Sequence, residues 1–221
     1  MFLRQALALA ATLLTLAFSG HAQQGPWQLV NPPQPQENNG KIEVIEFFWY
    51  GCPHCYAIES DVNAWLAKKP ADVDFKRVPA PMGGWLEGAK IYYTLEAMGL
   101  LAQYHDKVFD AIHKDNVNLF NAKKREEWLA KNGIDPEKYA AAEKSFSVDS
   151  RLKRAMQLVQ TYKVDGVPRF VVAGKWYTGA EWAGGEHKIM PAVDQLIDMA
   201  RHEMPAAGKS AAAPAAVPAK K

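Results

Sequence analysis

The 221-residue sequence predicts an α/β fold with an all-helical block inserted into it. Three observations carry this reading. A strand–helix–strand unit opens at Ile42. Strand signals then vanish from Trp85 to about Lys163. They return at Arg169–Ala173, ahead of a last amphipathic helix.

The N-terminus has one positive charge, Arg4, then an apolar run from Ala6 to Phe18 and the small-residue exit Gly20-His21-Ala22. That is the pattern of a secretory signal peptide, here expected over 1–22 and cut after Ala22. A membrane anchor fits less well, because the run of about 13 residues falls short of the roughly 20 that span a bilayer. No cysteine follows the expected cut, which argues against a lipoprotein.

Pro32, Pro33 and Pro35 make an extended lead-in. Ile42–Tyr50 is nearly continuously apolar, broken by Glu43 and Glu46, as in a central strand covered on both faces. A helix should open at the cysteines and run to about Lys68, since Tyr56, Ile58, Val62, Trp65 and Leu66 recur at helical spacing, and Pro70 closes it. Val73–Val78 alternates well enough for a second strand.

Leu86–Met98 and Tyr104–His113 then read as helices, and Glu126–Lys131 as one that stops at Asn132-Gly133. Asp135-Pro136 restarts a helix with a cap and a first-position proline. Another begins near Ser147 and carries Leu152, Met156 and Val159 on one side. After the returning strand comes a turn at Gly174, then Trp176 and Tyr177. The last helix keeps Ile189, Val193, Leu196, Ile197 and Ala200 on one face. Residues 205–221 are almost all small or lysine, and should be disordered. The expected organisation is therefore a sheet-containing unit over 23–82 and 164–204, a helical domain over 83–163 and a tail over 205–221.

The formal charge is +2, but setting aside Arg4, Lys209, Lys220 and Lys221 leaves 22 basic against 24 acidic residues. A body near −2 has no basic field of the kind nucleic acid requires, so nucleic acid is not the partner. Hydrophobic content of 48% supports a core without disulfide staples.

The whole chain has two cysteines, in Cys52-Pro53-His54-Cys55. Closing so small a loop removes little entropy from the unfolded chain, so a structural bridge is a poor explanation. Redox chemistry is a better one, because the thiolate is the species that attacks a disulfide. Cys52 follows a strand and opens a helix, where unpaired N–H groups and the helix dipole favour negative charge. His54 can add charge or a donor, and Pro53 suits the first helical turn. Cys55, about one turn on, should be the more buried resolving partner. Half of a zinc site is the rival reading. It lacks a second cysteine pair, and His105, His113, His187 and His202 are not in ligand spacing. No metal or organic cofactor is expected.

Two carboxylates interrupt the first strand. Glu46 is either an exposed edge residue or a buried acid with a raised pKa that trades a proton with Cys55. Glu43, nearer the strand's start, reads as an exposed edge carboxylate. Val167-Pro168 opens the returning strand, and a proline there is ordinary whichever isomer it adopts.

Glu46-Phe47-Phe48, Cys52-Pro53-His54-Cys55, Met82-Gly83-Gly84, Gly166-Val167-Pro168 and Gly174-Lys175 together resemble the DsbA family of periplasmic thiol oxidases, in order from about Trp27 to Arg201. The resemblance implies a thioredoxin fold with a helical insertion, a buried acid at Glu46, and a cis Val167-Pro168 beside the cysteines whose backbone pairs an extended substrate. It implies a monomer acting on reduced or unfolded exported proteins, reoxidised by a membrane quinone-linked partner resembling DsbB. Arg169 departs from the pattern, standing where a small or apolar residue is more familiar. The tail has no counterpart.

The function expected is donation of a Cys52–Cys55 disulfide to exported proteins in the periplasm. The rivals are a reductase or isomerase on the same fold, or a periplasmic chaperone with an apolar groove. An isomerase would carry a dimerisation domain, for which the lead-in from Gln23 to Lys41 has no room.

Overall fold

The computed structural model describes residues 25–37 and 40–203. The expected signal peptide and C-terminal tail lie outside those residues.

Five strands form one mixed sheet: β1 (Gln28–Leu29), β2 (Ile42–Phe48), β3 (Val73–Pro79), β4 (Arg169–Val172) and β5 (Trp176–Thr178), in the order β1-β5-β4-β2-β3. β2 is buried along its whole length between β3, parallel to it, and β4, antiparallel. Its β-branched and aromatic residues suit that two-sided burial. The helix α1 (Pro53–Leu66) makes the crossover from β2 to β3, with Cys55, Ile58, Glu59, Val62 and Trp65 on its buried side.

Five helices form the insertion: α2 (Leu86–Ala97), α3 (Leu101–His113), α4 (Ala122–Lys131), α5 (Pro136–Glu143) and α6 (Phe146–Thr161). Caps explain where several begin. Asn121, Asp135 and Ser145 each accept a hydrogen bond from a backbone N–H of the first turn. The short α7 (Ala180–Ala183) and the long α8 (Ile189–Glu203) follow β5.

Side chains alternate across the sheet and feed two cores. Ile42, Val44, Phe170 and Val172 pack with α1 and α8, around Ile58, Val62, Val193 and Leu196. Ile45, Phe47, Val171 and Tyr177 pack toward the insertion, with Leu95, Val108, Phe109 and Val148. The chain thus has the expected α/β architecture with a helical insert.

Three details correct the sequence reading. The lead-in contains β1, which pairs antiparallel with β5. Helices α3 and α4 start earlier than expected, at Leu101 and Ala122. Glu43 is not an exposed edge residue: it is 3% exposed and accepts a hydrogen bond from Lys76 Nζ at 2.6 Å. It has no open edge to occupy, because β3 and β4 flank its strand.

Candidate active site

β2 ends and the chain turns through Trp49-Tyr50-Gly51 into Cys52, the N-cap of α1. Gly51 is required there. A Cβ at that position would lie 2.4 Å from the Trp49 ring, and the ring cannot give way. It is stacked between Trp85, 4.8 Å away, and Phe120, 5.6 Å away. Pro53 opens the helix, where its missing N–H costs nothing.

Both cysteines are free thiols, and their surroundings differ. Cys52 Sγ receives the Cys55 N–H at 3.4 Å. The Cys55 thiol, as a side-chain hydrogen-bond donor, comes first among the causes that bring the Cys52 pKa from 9.0 to about 6; backbone donation from Cys55 and His54 and the His54 charge add to it, against the penalty of burial. Cys55 is fully buried, and burial pushes its thiol well above the ordinary value, helped by the Cys52 and Glu46 charges. Across the site, Cys52 Sγ–H donates to the Val167 carbonyl at 3.4 Å, and the Val167–Pro168 bond is cis.

Glu46 is 1% exposed. The β2–β3 register sets it opposite Arg77, whose Nε donates to Glu46 Oε2 at 2.9 Å. Arg77 Nη2 donates to Glu59 Oε1 at 2.6 Å. One guanidinium therefore serves two buried carboxyls, and both are pushed up, chiefly by burial, Glu59 to about 7. The sequence reading found Glu46 but neither of its companions. The signal for Arg77 was the parallel register itself, which brings position 46 level with 77.

His54 is exposed, and its Nδ1 contacts the carboxylate of Glu186, just before α8. Nothing local in the sequence pointed to Glu186, which is 132 residues away. His105 and His113 are not beside the cysteines as ligands. His105 Nδ1 pairs with the Tyr50 hydroxyl at 2.8 Å, and His113 Nε2 with the Tyr50 carbonyl at 2.7 Å, so both fasten the insertion to the active-site turn. Glu59, His105 and Asp106 bring donor atoms within 4.8 Å of one another. Arg77 holds Glu59 and Tyr50 holds His105 Nδ1, while His105 Nε2 is buried without a hydrogen-bond partner, 3.4 Å from Glu59 Oε1.

Comparison with known proteins gives a consistent result. The family described as DSBA-like thioredoxin domain matches residues 43–187. A protein named thiol:disulfide interchange protein DsbA from Azotobacter vinelandii is 45% identical over 168 residues, 76% of this chain and 78% of its own length. A protein of the same name from Bordetella parapertussis is 42% identical over 200 residues, 88% of this chain and 95% of its own. Among solved structures, Pseudomonas aeruginosa DsbA aligns with a TM-score of 0.75 at 39% identity, covering 80% of this chain and 93% of that one.

Proposed function

Since the chain belongs to the DSBA-like thioredoxin family and is a thiol:disulfide oxidoreductase, we propose that Cys52 is its nucleophilic and substrate-facing sulfur and Cys55 its resolving one. The observation that carries this reading is the asymmetry between the two thiols: one held near 6, the other pushed well above 9.0.

In the working direction, a substrate thiolate attacks Cys52 of the Cys52–Cys55 disulfide. The Cys55 sulfur leaves with the electron pair and, being unfavourable as a buried anion, takes a proton. Glu46, coupled electrostatically to Cys55, is the internal group suited to supply that proton. A second substrate thiolate then attacks the substrate sulfur of the mixed disulfide and expels Cys52 as a stabilised thiolate. Two electrons pass to the enzyme and the substrate keeps the disulfide.

The direction follows from linkage. At pH 7, a thiol at about 6 rather than 9.0 favours the reduced enzyme by about 1.4 kcal/mol, or ~30 mV of oxidising strength for a two-electron couple. Once Cys52 is ionised or disulfide-bonded it has no proton to give the Val167 carbonyl, which is then open to the N–H of an extended substrate. Val167 and Pro168 thus form the substrate wall, and Pro53 and His54 tune the nucleophile.

The protein works in the periplasm, as its N-terminal export pattern indicates. Its substrates are reduced exported proteins, and a membrane quinone-linked partner resembling DsbB restores the disulfide. Residues 23–82 and 164–204 form the thioredoxin-like domain, and 83–163 the inserted one. The test is a redox titration of the Cys52–Cys55 couple against glutathione. An oxidase is reduced by a small excess of reduced glutathione; a couple that stays oxidised under a large excess would make the chain a reductase or give it a structural bridge.

A further inference from the structure

The residue after Pro168 is a buried arginine. Arg169 is 5% exposed, yet its guanidinium is held by two carboxylates from different segments. Nη2 donates to Asp165 Oδ1 at 2.7 Å, at the start of the loop that carries Val167 and Pro168. Nη1 donates to Glu181 Oε1 at 2.7 Å, on α7. The guanidinium carbon lies 4.3 Å from the Trp182 ring centre and 5.5 Å from that of Tyr177, while Nε is buried without a partner.

Stability is a poor reason for this arrangement. Burying a guanidinium is costly unless it is fully paired, and an apolar side chain of similar volume often serves as well or better. Here the pairing is incomplete at Nε. Both carboxylates are well exposed, at 84% and 59%, so solvent screens their pull on the guanidinium. Planar two-pronged geometry is what arginine supplies that an apolar residue or lysine cannot.

The two segments it joins are the two sides of the site. The Asp165–Pro168 loop brings the Val167 carbonyl to Cys52. The chain after β5 leads through α7 to Glu186, the partner of His54. They also touch directly: a Cβ at Gly179 would lie 3.3 Å from the Pro168 carbonyl and 3.4 Å from Arg169 Nη1. We propose that Arg169 is a positioning residue that clamps the Val167–Pro168 loop to α7, fixing the backbone wall on which an extended substrate chain pairs. This rests on the assignment of Cys52 and Val167 to the substrate site made above. It touches neither sulfur and acts only through the loop.

A small dithiol and a peptide separate this role from a purely structural one, because only the peptide uses the wall. The experiment compares oxidation of dithiothreitol with oxidation of an extended peptide carrying two cysteines, for the parent and Arg169→Met. Methionine keeps the stack on Trp182 and loses both prongs. The expected result is an about tenfold fall in the peptide rate constant, with dithiothreitol oxidation within about twofold of the parent and no lower melting temperature. Arg169→Lys should rescue little of the peptide rate, having one prong. Should Arg169→Met not fold, Glu181→Gln and Asp165→Asn replace it; each alters one exposed carboxylate and should lower the peptide rate alone, about three- to fivefold. A peptide rate within about twofold of the parent, or equal losses on both substrates, overturns the proposal. A parent that oxidises neither substrate would instead overturn the oxidase reading.

Discussion

The two ends of the Cys-x-x-Cys turn sit in opposite surroundings. Around Cys52 lies a rim of solvent-reaching parts: His54 with Glu186, the Val167 carbonyl and the loop behind it. Beneath Cys55 lies a closed floor of Glu46, Arg77 and Glu59, all nearly excluded from water. One helix start therefore presents two identical side chains to two dielectrics. The rim stabilises a sulfur anion with N–H donors and partial charge, whereas the floor penalises one. On the roles proposed above, the stabilised Cys52 anion sets the oxidising strength, and the buried Cys55 is the sulfur that leaves protonated.

The largest expected effect comes from removing the contrast altogether. Cys52→Ala should abolish oxidation of peptide dithiols. Cys55→Ala should leave a reactive thiol that forms mixed disulfides but completes no turnover. Mass spectrometry of the trapped adducts checks both; adducts formed through Cys55 in Cys52→Ala would reverse the assignment.

Breaking the floor should cost the fold more than the chemistry. Arg77→Met leaves two buried carboxyls without their shared cation, which should destabilise the oxidised protein by about 3 kcal/mol in denaturant melts at pH 7. The loss should shrink as pH falls toward 5, because Glu59 already titrates at about 7 and protonates cheaply. A loss that grows on acidification would mean the carboxyls are not the strained groups.

The rim has its own pH signature. A thiol whose folded pKa is depressed adds stability that is complete above its unfolded pKa and is lost as pH falls through the folded value. The reduced form should gain on the oxidised form by about 3 kcal/mol at pH 8.5 and about 1.4 kcal/mol at pH 7, and keep only about 0.4 kcal/mol at pH 6, given the Cys52 value of about 6. Parallel melts of the two forms across that range measure it. A difference independent of pH would remove the thiolate as its cause.

The smallest effect belongs to His54→Ser. It should raise the Cys52 pKa and weaken the oxidant, while the melting temperature of the oxidised form stays unchanged, since His54 is exposed and buries little apolar area. An unchanged equilibrium with glutathione would show that His54 does not tune Cys52.

Rim and floor also differ in how far the sequence revealed them. Cys52, Pro53, His54 and Cys55 are adjacent, and a strand ending where a helix begins is a local pattern, so the reactive turn was readable. Glu46 stood out as a charge in an apolar run. Glu59 did not, because its α1 face is defined by apolar neighbours; Arg77 needed the β2–β3 register. Glu43 was misread because edge and centre cannot be told apart until strand order is known. The strand β1 has two residues, and its partners are Trp176 and Tyr177, so no alternation could announce it. Likewise Glu186 and the Trp49–Trp85–Phe120 stack arise only from tertiary packing.

The contrast itself can be read in one titration. Thiolate absorbance of the reduced protein is followed against pH, with Cys55→Ala isolating the Cys52 signal. The account predicts, in the parent, a Cys52 transition near 6 and no second thiolate until well above 9.0, and in Cys55→Ala, which lacks the Cys55 S–H donor, a Cys52 transition above the parent's. A first transition at about 9 in the parent, or two thiols titrating together there, would contradict it.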